Sequence, residues 1–203
     1  MDISALSSGW AIFNNSSLVD KGLIKISPKK GYGERLTIFE DALFKLFSAY
    51  EISDVVIEDI YRGPSVKVFK ILSLFHGVAY KVCSQSTGKE PELISVTEVR
   101  KHLGLASEEK VKTKEQTFFI INSALSLELE FKTGNDMTDA CALALGRRIK
   151  HGDTELSLQF DHKLYSQVGV KDESIQGPRP KRKSKPKRSK KSIQKAGSQI
   201  PSG

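Results

Sequence analysis

The sequence predicts an α/β fold, a mixed sheet flanked by helices and followed by a disordered basic C-terminal tail. Two strand-like segments open the chain, and helical and strand-like segments alternate after them, which is typical of helices packed on the faces of a sheet. Hydrophobic residues make up 38% of the 203 residues, enough to form a core in most of the chain. Positive charge is concentrated at the C-terminal end, so that end is expected to differ from the body.

The charge distribution divides the chain into a nearly neutral body and a basic tail. There are 32 Lys and Arg residues against 24 Asp and Glu residues, a net charge of +8. Residues 174–203 contain ten basic residues and no acidic residue, which leaves 22 basic and 24 acidic residues in residues 1–173. We predict a folded domain over residues 1–150, an extension of uncertain role over 151–173, and a disordered tail over 174–203.

The tail is predicted to act as an electrostatic arm for nucleic acid. Basic side chains that displace counterions from phosphates add affinity whatever the base sequence. Three consecutive basic residues, Lys181, Arg182 and Lys183, are candidates for contacts with DNA. A solubilising tail and a nuclear address remain alternatives, because such segments are also rich in Lys and Arg.

Composition excludes several other classes of protein. The chain has no run of about 18 apolar residues, so a membrane span is not expected, and it does not open with the basic and apolar pattern of a secretion signal. The two cysteines, Cys83 and Cys141, form neither a disulfide framework nor a metal-binding spacing. We expect a reducing compartment: the cytoplasm, with a nucleoid or a viral genome as partner, or a nucleus or organelle in a eukaryote.

The first elements are predicted to be a hairpin, a helix and a buried strand. Residues 10–13 are strand-like, residues 14–17 carry a turn signal, and residues 18–26 alternate as a second strand would. Apolar residues three or four apart predict an amphipathic helix over 34–50, and a short apolar run predicts a strand over 54–58.

Helices dominate the second half of the predicted domain. A helix is predicted over residues 65–78, and either 79–84 or 93–96 could supply a further strand. Three more helices are predicted over residues 97–104, 112–125 and 136–148.

Acidic residues stand where a metal site would need them. Asp136 and Asp139 are three apart at the start of a predicted helix and so share one face. Glu58 ends an apolar strand, where a bare carboxylate is costly to bury, and Asp2 precedes the first strand. Oxygen ligands of this kind suit Mg²⁺ or Mn²⁺, and two such ions can promote phosphodiester cleavage. The alternatives are a helix dipole that favours the two aspartates, a solvated Asp2, and an ion pair between Glu58 and Arg62.

Four segments, in the same order along the chain, carry a resemblance to a known family. They are Asp2-Ile3-Ser4 with Ser8-Gly9-Trp10-Ala11-Ile12, Gly33-Glu34-Arg35-Leu36, Val55-Val56-Ile57-Glu58, and residues 135–144. These segments are similar to those of the RuvC family of Holliday-junction resolvases, which have a ribonuclease-H-like fold. Residues 75–79 also resemble a family segment in which a helix turns back into a strand. The resemblance covers about residues 1–148.

The resemblance implies an activity and a metal site. It implies a Mg²⁺-dependent endodeoxyribonuclease (Mn²⁺ as an alternative ion) that nicks four-way junctions in DNA recombination and repair and works as a homodimer. Asp2, Glu58, Asp136 and Asp139 would be the catalytic, metal-binding acids. One departure stands out: several apolar residues precede the first acid in the family and form the middle strand, whereas one residue precedes Asp2 here. Either the chain starts further upstream or this strand is short.

The resemblance also implies residues that contact DNA. Tyr61 would stack on an exposed base, with ordinary packing as the alternative, and we place the neighbouring Arg62 with it as a DNA contact. Lys114 and Arg100 would lie near the scissile phosphate, where positive charge stabilises the transition state. For Arg100 a solvated helix face is an equal alternative, and Lys114 is the stronger catalytic candidate because it opens the helix at the matching position.

Two further functions compete with a junction resolvase. The first is a non-catalytic module that binds branched DNA through a degenerate site, favoured by the short first strand and disfavoured by the presence of all four acids. The second is a generic α/β protein with a solubilising tail, which does not explain the acids or their order. The sequence does not separate junctions from flaps or forks as the preferred DNA.

Overall fold

The structure is a computed structural model that describes residues 1–61, 63, 65–104 and 113–153. Arg62, the extension beyond residue 153 and the basic tail, with Lys181, Arg182 and Lys183, lie outside the described residues, so the predictions made for them stay predictions. No helix in the described part of the chain is long and apolar enough to cross a membrane.

The chain opens with the predicted hairpin. Strand β1 (Ser7–Asn14) pairs antiparallel with β2 (Ser17–Lys25), and Asn15 makes the turn with a positive φ of 53°. Strand β1 begins earlier than expected, so Gly9 lies inside the strand and not in a turn before it.

A second, parallel pair of strands lies beside the hairpin and is joined to it through the first two residues. Strands β3 (Val56–Glu58) and β4 (Glu92–Ile94) pair in parallel. Asp2 and Gly9 exchange two backbone hydrogen bonds of 3.0 and 2.9 Å. On the other side of this segment, the Met1 carbonyl accepts a bond of 3.0 Å from the Glu58 amide. The first strand is therefore present as a two-residue bridge between β1 and β3.

Beyond this bridge, β1 and β3 are separated by a cavity of about 360 Å³. Its walls come from β1, from the start of β3 and from two helices, and they include Trp10, Phe47, Val55 and Ala144.

Five helices complete the described fold. They are α1 (Tyr32–Ala49), α2 (Val66–Thr87), α3 (Val96–His102), α4 (Thr113–Ala124) and α5 (Phe131–Lys150). Serine side chains cap α2 and α3, where Ser65 accepts from the Val68 amide and Ser95 from the Glu98 amide.

The prediction for the segment after residue 78 was wrong in one respect. Helix α2 continues through residues 79–84 to Thr87 and ends at Gly88, which has a φ of 69°. Ala79, Val82 and Cys83 are buried at helical spacing, so the apolar run that resembled a strand is the core-facing side of a helix. The alternative strand near residues 93–96 corresponds to β4. The segment over residues 75–79 therefore lies within a helix and makes no turn into a strand.

The sheet separates two hydrophobic cores. Phe39, Leu43 and Phe75 pack under α1 and α2 with Ile57, whereas Val56 belongs to the core formed with α3, α4 and α5. Because side chains alternate along a strand, Glu58 faces the same side as Val56, toward α5. This alternation decides on which face of the sheet a site can form.

Candidate active site

The four acids of the predicted metal site converge on the face of the sheet that α5 covers. One carboxylate oxygen each from Asp2, Asp136 and Asp139 lie within 4.8 Å of one another. Glu58 lines the same cavity as Asp2 and Asp139, and its negative charge raises the pKa of Asp2. The neighbours of Asp2 in the chain, Met1 and Ile3, pack into the opposite core, so alternation directs Asp2 toward α5.

Helix α5 comes close to the sheet because small residues line the contact. A Cβ atom built on Gly9 would lie 1.9 Å from the Asp136 carbonyl oxygen, so only glycine permits this approach. Ala140 and Ala142 are buried on the same helix. Helix α5 begins at Phe131, five residues before the predicted start, so Asp136 lies in its second turn and the helix-dipole alternative loses its basis.

The electrostatics of the site fit a bound cation. Burial raises the pKa of Asp2 above its ordinary value, and the negative charges of Glu58 and Asp139 raise it further. Burial also raises the pKa of Glu58 and of Asp139. A raised pKa means that the ionised form of each carboxylate is unfavourable, in part because the neighbouring negative charges repel one another. A divalent cation bound between the carboxylate oxygens would offset that repulsion. The donor set consists of carboxylate oxygens, which hard cations prefer.

Lys114, predicted to lie near the scissile phosphate, lies against the acids. It is the second residue of α4, and its Nζ atom is 2.9 Å from Asp139 Oδ2 and 3.7 Å from Asp136 Oδ1. Burial works to lower the pKa of Lys114, but the hydrogen bond to Asp139 and the nearby carboxylates outweigh it and raise the pKa. The lysine is therefore charged at neutral pH and partly offsets the charge of the cluster.

The acids and Lys114 border a second cavity, of about 200 Å³, which is lined by Asp2, Glu58, Lys114 and Asp139. Arg100 lines this cavity as well. Its Nε atom is buried and has no hydrogen-bond partner among the described residues. A buried guanidinium donor without a partner is costly unless a ligand satisfies it, so an anion is a natural occupant beside it.

Tyr61 lies outside this cavity. Its side chain is 86% exposed, in the loop after β3. The exposure of Tyr61 argues against ordinary packing, which was the alternative to a DNA contact.

Two residues of the site were not predicted from the sequence. Ser7 Oγ donates a 2.9 Å hydrogen bond to Asp136 Oδ2. Thr117 lines the cavity and is buried. Thr117 could have been found from its position three residues after Lys114, on the same helix face. Nothing in the run of serines around Ser7 indicates a contact with Asp136, which is 129 positions away.

The fold and the acidic site together define a ribonuclease-H-like protein. The family model described as crossover junction endodeoxyribonuclease RuvC matches residues 4–147, and the chain belongs to this family.

Relatives and solved structures agree with this assignment. The crossover junction endodeoxyribonuclease RuvC of Campylobacter lari is 30% identical over 141 residues, covering 68% of this chain and 85% of the relative. That of Helicobacter pylori strain 26695 is 30% identical over 152 residues, covering 71% and 91%. The fold is similar to Thermus thermophilus RuvC alone, with a TM-score of 0.58 and 15% identity over 73% of this chain and 90% of that one. It is also similar to T. thermophilus RuvC in complex with Holliday junction substrate, with a TM-score of 0.55 and 14% identity over 83% and 93%.

Proposed function

We propose that the protein is a metal-dependent endonuclease that nicks four-way DNA junctions by hydrolysis of a phosphodiester bond. The observation that carries the proposal is the convergence of Asp2, Asp136 and Asp139 from separate parts of the chain, with Glu58 in the same cavity as Asp2 and Asp139. Membership of the RuvC family supplies the substrate class.

Mg²⁺ is the proposed ion, with Mn²⁺ as a substitute, because the ligands that the described residues offer are carboxylate oxygens. Asp2, Glu58, Asp136 and Asp139 would hold it. When bound, the ion would polarise the phosphate and acidify a water molecule, which supplies the nucleophile.

The remaining residues of the site bind and stabilise the phosphate. The Lys114 ammonium lies at the edge of the acidic cluster and is 48% exposed, so it can face a DNA phosphate while it remains near Asp139. Positive charge at this position stabilises the charge that develops on the phosphate in the transition state. Arg100 lines the same cavity and gives it a second positive charge for a phosphate group.

Contacts further from the site would hold the DNA. Tyr61 presents an exposed ring that can stack on a base splayed out at the branch point, and Arg62 beside it would contact the backbone. The body over residues 1–150 would read the branch. The basic tail over 174–203, with Lys181, Arg182 and Lys183, would add affinity for any phosphate backbone.

A homodimer follows from the reaction. Resolution of a four-way junction requires two symmetric nicks, and a two-fold dimer presents two equivalent sites. Sedimentation of the full chain at micromolar concentration tests this, and a monomer both with and without a junction would contradict it.

A non-catalytic junction-binding module is the second candidate. One experiment separates the two. The full chain is incubated with a labelled four-way junction or with the matched linear duplex, in Mg²⁺ and, as a control, in EDTA. Nicking of the junction that requires Mg²⁺ supports the endonuclease, whereas tight junction binding without nicking supports the module.

A further inference from the structure

Three serines that follow Asp2 are joined by hydrogen bonds, and we call them the serine loop (Ser4, Ser7 and Ser8); the last two are the first residues of β1. Ser4 Oγ accepts from the Ser7 amide at 3.0 Å and donates to the Ser7 carbonyl at 2.8 Å. Ser8 Oγ accepts from the Ser4 amide at 3.0 Å and donates to the Ser4 carbonyl at 2.9 Å. Because Ser8 is buried, this arrangement holds the backbone of Ser7 in one place.

Neighbouring elements anchor the same loop. The Arg35 guanidinium of α1 donates a hydrogen bond to the Ala5 carbonyl. The Ile26 amide, just after β2, donates to the Leu6 carbonyl at 2.8 Å. The backbone pair between Asp2 and Gly9 closes the loop at its base. The loop is therefore a rigid support immediately beside the first acid of the site.

Ser7 extends from this support to the far acid. Its Oγ atom donates a 2.9 Å hydrogen bond to Asp136 Oδ2, across 129 positions of the chain. The other oxygen of this carboxylate, Oδ1, lies on the side of Lys114, 3.7 Å from its Nζ atom. The hydrogen bond from Ser7 therefore fixes the orientation of the Asp136 carboxylate, with one oxygen toward β1 and the other toward Lys114.

We propose that Ser7 is a positioning residue for the metal site, and that it acts by holding the Asp136 carboxylate in its binding orientation. This inference rests on the proposed function. The Asp136 side chain is 27% exposed, and its 3.7 Å contact with Lys114 is longer than a hydrogen bond, so without Ser7 the carboxylate would be free to rotate. Hydrogen-bonded partners of metal ligands typically change metal affinity 10- to 100-fold when they are lost, because the ligand must then be ordered on binding.

A matched pair of substitutions isolates the hydroxyl group. Threonine and valine have nearly the same shape, so Ser7→Thr keeps the donor and Ser7→Val removes it. Ser7→Ala removes the donor without adding volume, and Ser16→Ala in the exposed hairpin turn is the control. The readout is Mn²⁺ binding to the metal-free full chain without DNA, followed by electron paramagnetic resonance. Urea unfolding of each variant confirms that it is folded.

We expect Ser7→Val and Ser7→Ala to weaken Mn²⁺ binding about tenfold or more, and Ser7→Thr and Ser16→Ala to stay within about threefold of the wild type. Wild-type affinity in Ser7→Ala, or equal losses in the threonine and valine variants, would overturn the positioning role and leave the nuclease proposal intact. Failure of the wild type to bind Mn²⁺ at all would overturn both.

Discussion

Gly9 in β1 and Asp136 in α5 meet backbone to backbone: a Cβ atom on Gly9 would lie 1.9 Å from the Asp136 carbonyl oxygen and 2.5 Å from its carbonyl carbon. This contact places the helix that carries two of the four acids directly on the strand that pairs with Asp2. The distance between the acids on the sheet and the two acids on α5 therefore depends on the absence of a side chain at Gly9.

Substitution of Gly9 by alanine is expected to impair both folding and activity. The added methyl group meets backbone atoms, which cannot swing aside, so α5 must move away from the sheet. We expect Gly9→Ala to lower the free energy of unfolding by about 1–3 kcal/mol, as overpacking does, and to reduce Mg²⁺-dependent cleavage more strongly than junction binding. Urea unfolding and junction nicking measure the two effects.

Gly77→Ala is the matched control for this change. Gly77 lies in the middle of α2, and its Cβ atom would meet no described atom within 4 Å. Alanine there should stabilise the helix by about 0.5–1 kcal/mol and leave cleavage unchanged. Equal stability of Gly9→Ala and the wild type would contradict the close approach of α5.

Lys114 should have opposite effects on metal binding and on catalysis. Its ammonium competes with a cation for Asp139 and Asp136, so Lys114→Gln should bind Mn²⁺ more tightly than the wild type. Cleavage should nevertheless fall about 100-fold or more, because the charge that stabilises the transition state is gone. Lys132→Gln, on an exposed position of α5, is the control. Tighter metal binding with undiminished cleavage would remove Lys114 from catalysis.

Glu92 contacts residues at the C-terminal end of α5, and these contacts should make the free energy of unfolding depend on pH. Burial works to raise the pKa of Glu92, but hydrogen bonds from Lys150, His151 and Arg147 outweigh it and hold the pKa at about 2, against an ordinary value of 4.5. A lowered pKa means that the stabilisation is complete above pH 4.5 and is lost as the pH falls toward 2.

Glu92→Gln should therefore lower the free energy of unfolding at pH 7 by about 1–2 kcal/mol. This is less than the full pKa shift would give, because solvent screens ion pairs near the surface. The gap between variant and wild type should close between pH 4.5 and pH 2. Urea unfolding at a series of pH values measures it, with Asp41→Asn on the exposed side of α1 as the control. A gap of constant size across this range would contradict the assignment of the pKa to Glu92.

The basic tail is expected to act through charge alone. Deletion of residues 176–203 removes all ten basic residues of the tail and should leave a folded, active body with weaker, less salt-sensitive DNA binding. Replacement of the ten residues by glutamine in the full chain should give the same salt dependence. Discrimination between junction and duplex should hold or rise. An unchanged salt slope after deletion would favour targeting as the role of the tail.

Much of the fold was predictable because hydrophobic periodicity reflects burial. The hairpin and the helix over residues 34–50 follow directly from alternation and from three-to-four spacing, and β1, β2 and α1 lie close to the predicted bounds. Helix α2 was harder, because Ala79, Val82 and Cys83 are as compatible with a buried strand as with a buried helix face. Only their packing under α1 distinguishes the two.

The candidate site was predictable in its residue types but not in its supports. A carboxylate at the end of an apolar strand, as at Glu58, and a pair three apart, as at Asp136 and Asp139, are local signals. The contact between Ser7 and Asp136 joins residues that are 129 positions apart, so no local pattern reveals it. The same holds for the two-residue bridge at Asp2, which exists only because β1 and β3 lie on either side of it.

The most direct test of the catalytic metal site is junction cleavage by variants that remove one charge from the acidic cluster. Asp136→Asn and Glu58→Gln should each reduce Mg²⁺-dependent nicking about a thousandfold or more, because metal binding and formation of the nucleophile both depend on these charges. Binding of the labelled junction, measured by fluorescence anisotropy, should be retained. Asp59→Asn, at the exposed residue next to Glu58 in the chain, should cleave as the wild type does. Nicking at the wild-type rate by Asp136→Asn or Glu58→Gln would contradict the claim that these acids form the catalytic metal site.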